Sequence, residues 1–220
     1  MQTLRCHLSR LVGGGATLAA ASLASSTAKV NQTMAAQELS NPPFNKQSQP
    51  WPGLAGKMDP PPNHGEKFYR GSGRLVGRKA LVTGGDSGTG RAAAIAFARE
   101  GADVASNYYP TEEPDAQEVG LIGDTERTGL AIPGDIRDKR FCQDMVRRTV
   151  EELGGLDIAV SNAARQLARD SILDVSTEDF DATMKTNIYA LFWIIKAALP
   201  HLKPGLPAQS LSFALSPDFE

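Results

Sequence analysis

The run Thr83-Gly84-Gly85-Asp86-Ser87-Gly88-Thr89-Gly90 constrains the fold of this chain more than any other feature. It follows Lys79-Ala80-Leu81-Val82-Thr83, a short apolar run that reads as a buried strand. It precedes the Ala-rich stretch Arg91 to Arg99, a good helix former with Gly101 as its stop signal. A helix start leaves backbone N–H groups unpaired and carries partial positive charge, and a pyrophosphate satisfies both. Gly84 is expected to permit the tight turn, Gly88 to admit phosphate close to the backbone, and Gly90 to let the helix pack against the sheet. The spacing is Gly-x-x-x-Gly-x-Gly, not the commoner Gly-x-Gly-x-x-Gly. A glycine cluster alone also marks a flexible loop. Its place between a strand and a helix, inside a repeating pattern, makes it a nucleotide-binding loop here.

The pattern does repeat. Asp103 to Tyr108 reads as a second strand, Leu130 to Ile132 as a third and Leu156 to Ser161 as a fourth. Pro114 to Thr125 reads as a helix with proline in its first turn. Asp138 to Leu153 reads as a helix with Phe141, Met145, Val146 and Val150 on one side, stopped by Gly154-Gly155. Ser176 caps a long helix, Thr177 to Leu202, with Asp179 three residues on as in a capping box. Strands alternating with helices imply an α/β fold, a Rossmann-type doubly wound parallel sheet with right-handed crossovers.

The second strand should end in the residue that reads a nucleotide's ribose. An acid there bonds the 2′-hydroxyl of NAD, and a base attracts the 2′-phosphate of NADP. Here the strand ends Ser106-Asn107-Tyr108, with neither. The missing acid removes a repulsion and the missing base removes an attraction, so the cofactor is NADP or NAD with a slight lean to NADP.

Composition excludes several classes. Hydrophobic residues make up 41% and charged residues 22% of 220, which fits one globular domain with extra segments. The net charge of -2 gives no reason to expect nucleic acid as a partner. Cys6 and Cys142 cannot form a disulfide framework, and His7, His64 and His201 show no zinc-ligand spacing, so no metal is expected. No apolar run reaches the roughly 18 residues of a membrane span.

The chain divides into residues 1–37, 38–73, 74–205 and 206–220. Residues 1–37 carry no acidic side chain. Arg5 and Arg10, a small-residue middle and Ser26-Thr27-Ala28 follow the order of a secretory signal, although Gly13 to Gly15 weaken the middle. The same composition suits a transit peptide or an upstream start codon. Localisation is therefore open between export, an organelle and the cytoplasm. No twin-arginine pair supports export in the folded state. Residues 38–73 form a Pro-rich arm, with Pro50-Trp51-Pro52-Gly53 and Pro60-Pro61-Pro62, expected to be irregular and to lie over the domain or stay mobile. Trp51 is the expected anchor of the arm, on an apolar patch.

Thr-Gly-x-x-x-Gly-x-Gly after a first strand resembles the cofactor signature of the short-chain dehydrogenase/reductase family. Asp135, in Pro133-Gly134-Asp135-Ile136, falls where that family places an Asp near the adenine ring. From the residues alone, Asp135 is equally a helix cap. Ser161-Asn162-Ala163-Ala164 resembles the family's Asn-Asn-Ala-Gly segment, with Asn162 as the Asn that steadies the sheet and borders the cofactor. Asn187, in Met184-Lys185-Thr186-Asn187, matches the catalytic-helix Asn that holds a water in a proton relay. The Pro-rich arm and the Gly84-Gly85-Asp86-Ser87-Gly88 run look like the glucose/ribitol dehydrogenase-like, general-stress subgroup. The resemblance covers roughly residues 49–205. It implies cofactor contacts from Thr83, Gly84, Asp86, Ser87, Gly88, Thr89, Gly90, Asn107, Tyr108, Asp135, Ile136, Asn162, Ala163 and Ala164. It also implies a carbonyl or alcohol substrate and a homo-oligomer. Ser161, Ala164 and Thr89 are mild departures from the family's pattern.

One departure is large. The family places a Ser after a fifth strand and a Tyr-x-x-x-Lys pair on the next helix. A phenol titrates near about 10 and needs a neighbouring cation to act near neutrality. None of Tyr69, Tyr108, Tyr109 and Tyr189 has Lys four positions on. Pro207 suits a central strand poorly, and the position of Ser212 is read as coincidence. The expectation is four strands in order 3-2-1-4 with the fourth strand's edge unpaired, and a frameshift, read-through or premature stop near Gly205. The three functions left are an NAD(P)-dependent oxidoreductase in its full-length form, a non-catalytic nucleotide-binding module, and a non-functional fragment.

Overall fold

A computed structural model describes residues 43–116, 127–202 and 210–212. The chain separates into two compact units, Met1–Pro43 and Phe44–Glu220, and only the second is described below. The expected signal or transit segment lies outside the described residues, as do most of the tail 206–220 and the part of the Pro114–Thr125 helix beyond Ala116.

The strands are β1 (Lys79–Thr83), β2 (Asp103–Tyr108), β3 (Gly129–Pro133), β4 (Ile158–Ser161) and β5 (Ser210–Ser212). The helices are α1 (Gly88–Arg99), α2 (Glu113–Ala116), α3 (Lys139–Leu153), α4 (Thr177–Met184) and α5 (Ala190–Ala198). All strand pairs are parallel, in the order β3-β2-β1-β4-β5. The expected order 3-2-1-4 holds for the first four. The expectation of an open β4 edge is corrected: β5 pairs Ser210, Leu211 and Ser212 with Ala159, Val160 and Ser161. Pairing needs only backbone donors and acceptors, and Pro207 lies outside the three paired residues.

Successive side chains of β1 go to opposite faces, as the pleat requires. Leu81 joins Ala105, Ile132, Met145, Val146, Leu156 and Ile194 on the face covered by α3 and α5. Ala80 and Val82 join Ala94, Ala98, Val104 and Val160 on the face covered by α1. Ala94 and Ala98 at this contact bring α1 close to the sheet. Asp138 caps α3, accepting from the N–H groups of Arg140 and Phe141, and Ser176 caps α4 through Asp179 N–H. The cap before α3 is therefore Asp138 and not Asp135.

The expected single helix from Thr177 to Leu202 is interrupted. Lys185–Tyr189 is a π turn between α4 and α5, and Leu199–His201 is a 3₁₀ turn. Inserted π turns of this kind recur at functional sites. Among the described residues, no helix is long and apolar enough to cross a membrane.

The arm is ordered by acceptors on the domain. The Glu100 carboxylate, at the end of α1, takes the Tyr69 hydroxyl (2.5 Å) and the N–H groups of Ser72 and Arg74 (2.9 Å each). Arg99 donates to the carbonyls of Gly65, Glu66 and Tyr69. The Tyr69 hydroxyl and these N–H groups hold the Glu100 carboxyl down at about 2, against an ordinary 4.5. A depressed acid stabilises the fold fully above its unfolded value and loses that contribution as pH falls through the folded one. Acid titration followed by circular dichroism should show stability falling between pH 4.5 and about 2. Glu100→Gln is expected to flatten that limb and to make the segment 69–74 protease-sensitive at neutral pH.

Candidate functional site

The site forms where β1, β2 and β4 end, at the point where strand order reverses. Thr83 ends β1 fully buried, and its hydroxyl accepts the N–H groups of Asn162 (3.0 Å) and Ala163 (3.2 Å). The Asn162 amide donates to the Gly84 carbonyl (3.0 Å), while its Oδ1 is buried without a partner among the described residues. Asn162 thus ties the loop to the end of β4.

The loop is a cradle with no room for side chains beneath it. A Cβ on Gly90 would overlap the Gly84 carbonyl oxygen and crowd the Asn162 amide, so α1 starts in direct contact with the turn. Gly88 has φ 51° and open space where a side chain would stand. Ser87 occupies the cap position of α1 but makes no side-chain cap bond, and the first turn holds no acid. The contrast with Asp138 at α3 is direct: one crossover helix is closed by its own carboxylate, and the other presents an uncapped positive end. These features fit a pyrophosphate, held by the backbone around Ser87, Gly88, Thr89 and Gly90.

Two cavities flank the loop and meet at Ala163-Ala164-Arg165. The larger, about 540 Å³, lies between the exit of β4 and the α4 to α5 helix, along Asp179, Phe180, Thr183, Asn187 and Leu191. The smaller, about 130 Å³, lies at the ends of β2 and β3. Gly84, Asn107, Tyr108, Asp135, Ile136, Ala163 and Ala164 line it, all of them sequence candidates. Thr83, Asp86 and Asn162 stand behind the wall, buried. Tyr109, Glu112, Arg137, Arg165, Thr186, Trp51 and Pro52 also line it, and the sequence marked none of these as cofactor residues.

Several candidates take up other duties. The Asn107 amide donates to the carbonyl of Ile132 (2.9 Å) and approaches that of Gly134 (3.3 Å), joining β2 to β3 at the rim of the smaller cavity. The Tyr108 hydroxyl donates to Glu113 (2.6 Å), and burial together with that carboxylate pushes it up to about 12. Asp86 is almost fully buried, and burial, reinforced by Asp115, raises its carboxyl. Burial also works against ionised Asp135, but the Arg137 guanidinium (2.6 Å) and backbone N–H (2.9 Å) outweigh it and hold the carboxyl low. Asn187 sits in the π turn, with Oδ1 accepting from Arg165 N–H (2.8 Å) and Nδ2 donating to the Arg165 carbonyl (2.9 Å). Its amide clamps the β4 exit loop to the helix. Arg165 is held in turn by Asp179 (3.0 Å).

The family model for short chain dehydrogenases matches residues 78–209. The chain belongs to the short-chain dehydrogenase family. It is 55% identical over 163 residues to the uncharacterized oxidoreductase YhxD of Bacillus subtilis, covering 74% of this chain and 54% of that protein. It is 44% identical over 155 residues to general stress protein 39 of the same organism, covering 70% and 54%. A short chain dehydrogenase from Burkholderia cenocepacia, solved in complex with NADP, matches with a TM-score of 0.57 and 42% identity, over 59% of this chain and 52% of that one. The chain thus spans about half the length of the relatives it matches.

Glu112 lines the smaller cavity from the turn just after β2. Burial, then the charge of Asp86, pushes it up to about 7. A raised acid keeps its proton longer in the folded state, so stability declines as pH rises from 4.5 to about 7 and is flat above. Glu112→Gln should remove that decline. Urea denaturation at pH 5 and pH 8 is expected to show the variant gaining about 1 kcal/mol on wild type at the higher pH, after discounting for solvent screening.

Proposed function

We propose that residues 78–209 are the cofactor-binding part of an NAD(P)-dependent oxidoreductase that moves hydride between the nicotinamide and a carbonyl or alcohol. The observation that carries this reading is the uncapped start of α1, packed against the Gly84 carbonyl with Gly88 open to the cleft. A bound nicotinamide supplies the hydride chemistry. The chain's own residues hold the dinucleotide across the loop and shape the 540 Å³ cavity beside β4 for a small substrate.

NADP is favoured over NAD. Arg137 and Arg165 line the cleft, no carboxylate ends β2, and Glu112 is about half protonated near neutrality. The 2′-phosphate therefore meets two guanidiniums and a weakened repulsion. Both guanidiniums are already paired, with Asp135 and Asp179, which keeps the preference modest. The exposed stripe Phe180, Ile188 and Phe192 is read as the contact for a partner helix in an oligomer.

The 220-residue chain contains no Tyr-x-x-x-Lys pair. It is expected to bind NADPH saturably, seen as enhanced nicotinamide fluorescence, several-fold more tightly than NADH. It is also expected to show no turnover of aldehyde substrates. Absence of saturable binding would refute the cofactor reading, and clear aldehyde turnover would refute the assignment of this chain as inactive.

A further inference from the structure

The arm carries a feature that neither the sequence motifs nor the family match accounts for. Its tip is a small loop closed by side chains. The Gln49 amide takes both backbone groups of Leu54, donating to its carbonyl (2.9 Å) and accepting its N–H (3.0 Å). Gln47 does the same to Asp59, at 3.1 and 3.0 Å. The Asp115 carboxylate, buried after β2, then accepts the N–H groups of Ala55 (2.6 Å) and Gly56 (3.0 Å). The two glutamines close the tip on itself, Asp115 ties its base to the domain, and Trp51 lines the nucleotide cleft.

Trp51 does not sit on an apolar patch. Its ring lies 5.3 Å from the Tyr109 ring on the β2 side, and the Arg165 guanidinium lies 5.7 Å over it from the β4 side. A second guanidinium, Arg137, lies 5.8 Å from the Tyr109 ring. The indole therefore spans the cleft from one wall to the other, 49% exposed in a position held by six hydrogen bonds at its base. A half-exposed indole among aromatic and guanidinium planes is the chemistry that stacks nucleobases.

We propose that Trp51 is a cofactor-contacting residue, the wall supplied by the arm against which the adenosine half of the dinucleotide packs. The side is set by the sheet, because the ends of β2 and β3 take the adenosine ribose and base in folds of this kind. With the indole in place the cleft encloses about 130 Å³, below the roughly 300 Å³ of ordinary ligand sites. The tip between Gln49 and Leu54 lifts to admit the nucleoside while its base stays pinned, and the indole re-seats on the bound adenosine. This inference rests on the nicotinamide reading above.

The test is an NADPH titration of the full chain read in two ways, by nicotinamide fluorescence and by energy transfer from tryptophan to the bound nicotinamide. Trp51→Ala is expected to raise Kd roughly ten-fold, in keeping with the loss of one aromatic stack. Trp51→Phe is expected to stay within about three-fold of wild type yet to lose most of the energy transfer, and Trp193→Phe to keep it. Circular dichroism of each variant checks folding, and Trp51 is at a half-exposed tip, so the fold should hold. If wild type binds no NADPH, the cofactor reading itself fails. If wild type binds and Trp51→Ala binds equally well, the wall does not exist. If Trp51→Ala binds more tightly, the indole is a plug and the proposal is overturned.

Discussion

The contact between the start of α1 and the Gly84 carbonyl governs the rest of the molecule. It exists because Gly90 has no Cβ, and it is locked from the other side by the Asn162 amide on the same carbonyl. Thr83 completes the lock by accepting two N–H groups from the β4 exit. Three elements distant in sequence thus converge within a few ångströms. The hydrogen bonds on Thr83 and Gly84 hold that junction close, while Asn162 Oδ1 is buried there without a partner among the described residues. Both cavities open from this junction, one toward β2 and β3 and one toward the α4 to α5 helix.

Carboxylates of one chemical type behave in opposite ways around this frame, and donors decide which. Glu100 receives a hydroxyl and two backbone N–H groups and stays ionised to about pH 2. Asp135 is held low by Arg137 despite burial. Half-buried Glu112 and buried Asp86 lie beside other acids, and both are raised. Charge-assisted bonds to backbone N–H groups are stronger than neutral ones, which explains why Asp115 and Glu100 serve as the pins for the arm. The arm is thereby part of the domain's surface and shapes the cleft.

Much of the framework was legible from short-range signals. Short apolar and Ala-rich runs marked β1 and α1, Pro114 fell in the first turn of α2, and Ser176 capped its helix as expected. The site was legible where spacing carries meaning, as in the glycine loop and in Asn162. It was not legible where a residue's partner lies far along the chain, as for Asn107, whose amide donates to the Ile132 carbonyl 25 residues on. The π turn at Lys185–Tyr189 leaves no periodicity signal, because a single inserted residue barely shifts an apolar stripe.

By itself the sequence determined the α/β alternation, the glycine cradle and the absence of Tyr-x-x-x-Lys from these 220 residues. Those properties depend on backbone propensity and on spacings of a few residues, which the chain displays locally. Only the tertiary structure decided that Trp51, Tyr109, Glu112, Arg137 and Arg165 line one cleft, and that Asn187 clamps Arg165. Asp115 holds a segment 59 and 60 residues away, and Asn162 reaches back 78 residues to Gly84. Contacts at such separations are fixed by which faces the sheet brings together, and no local pattern encodes them.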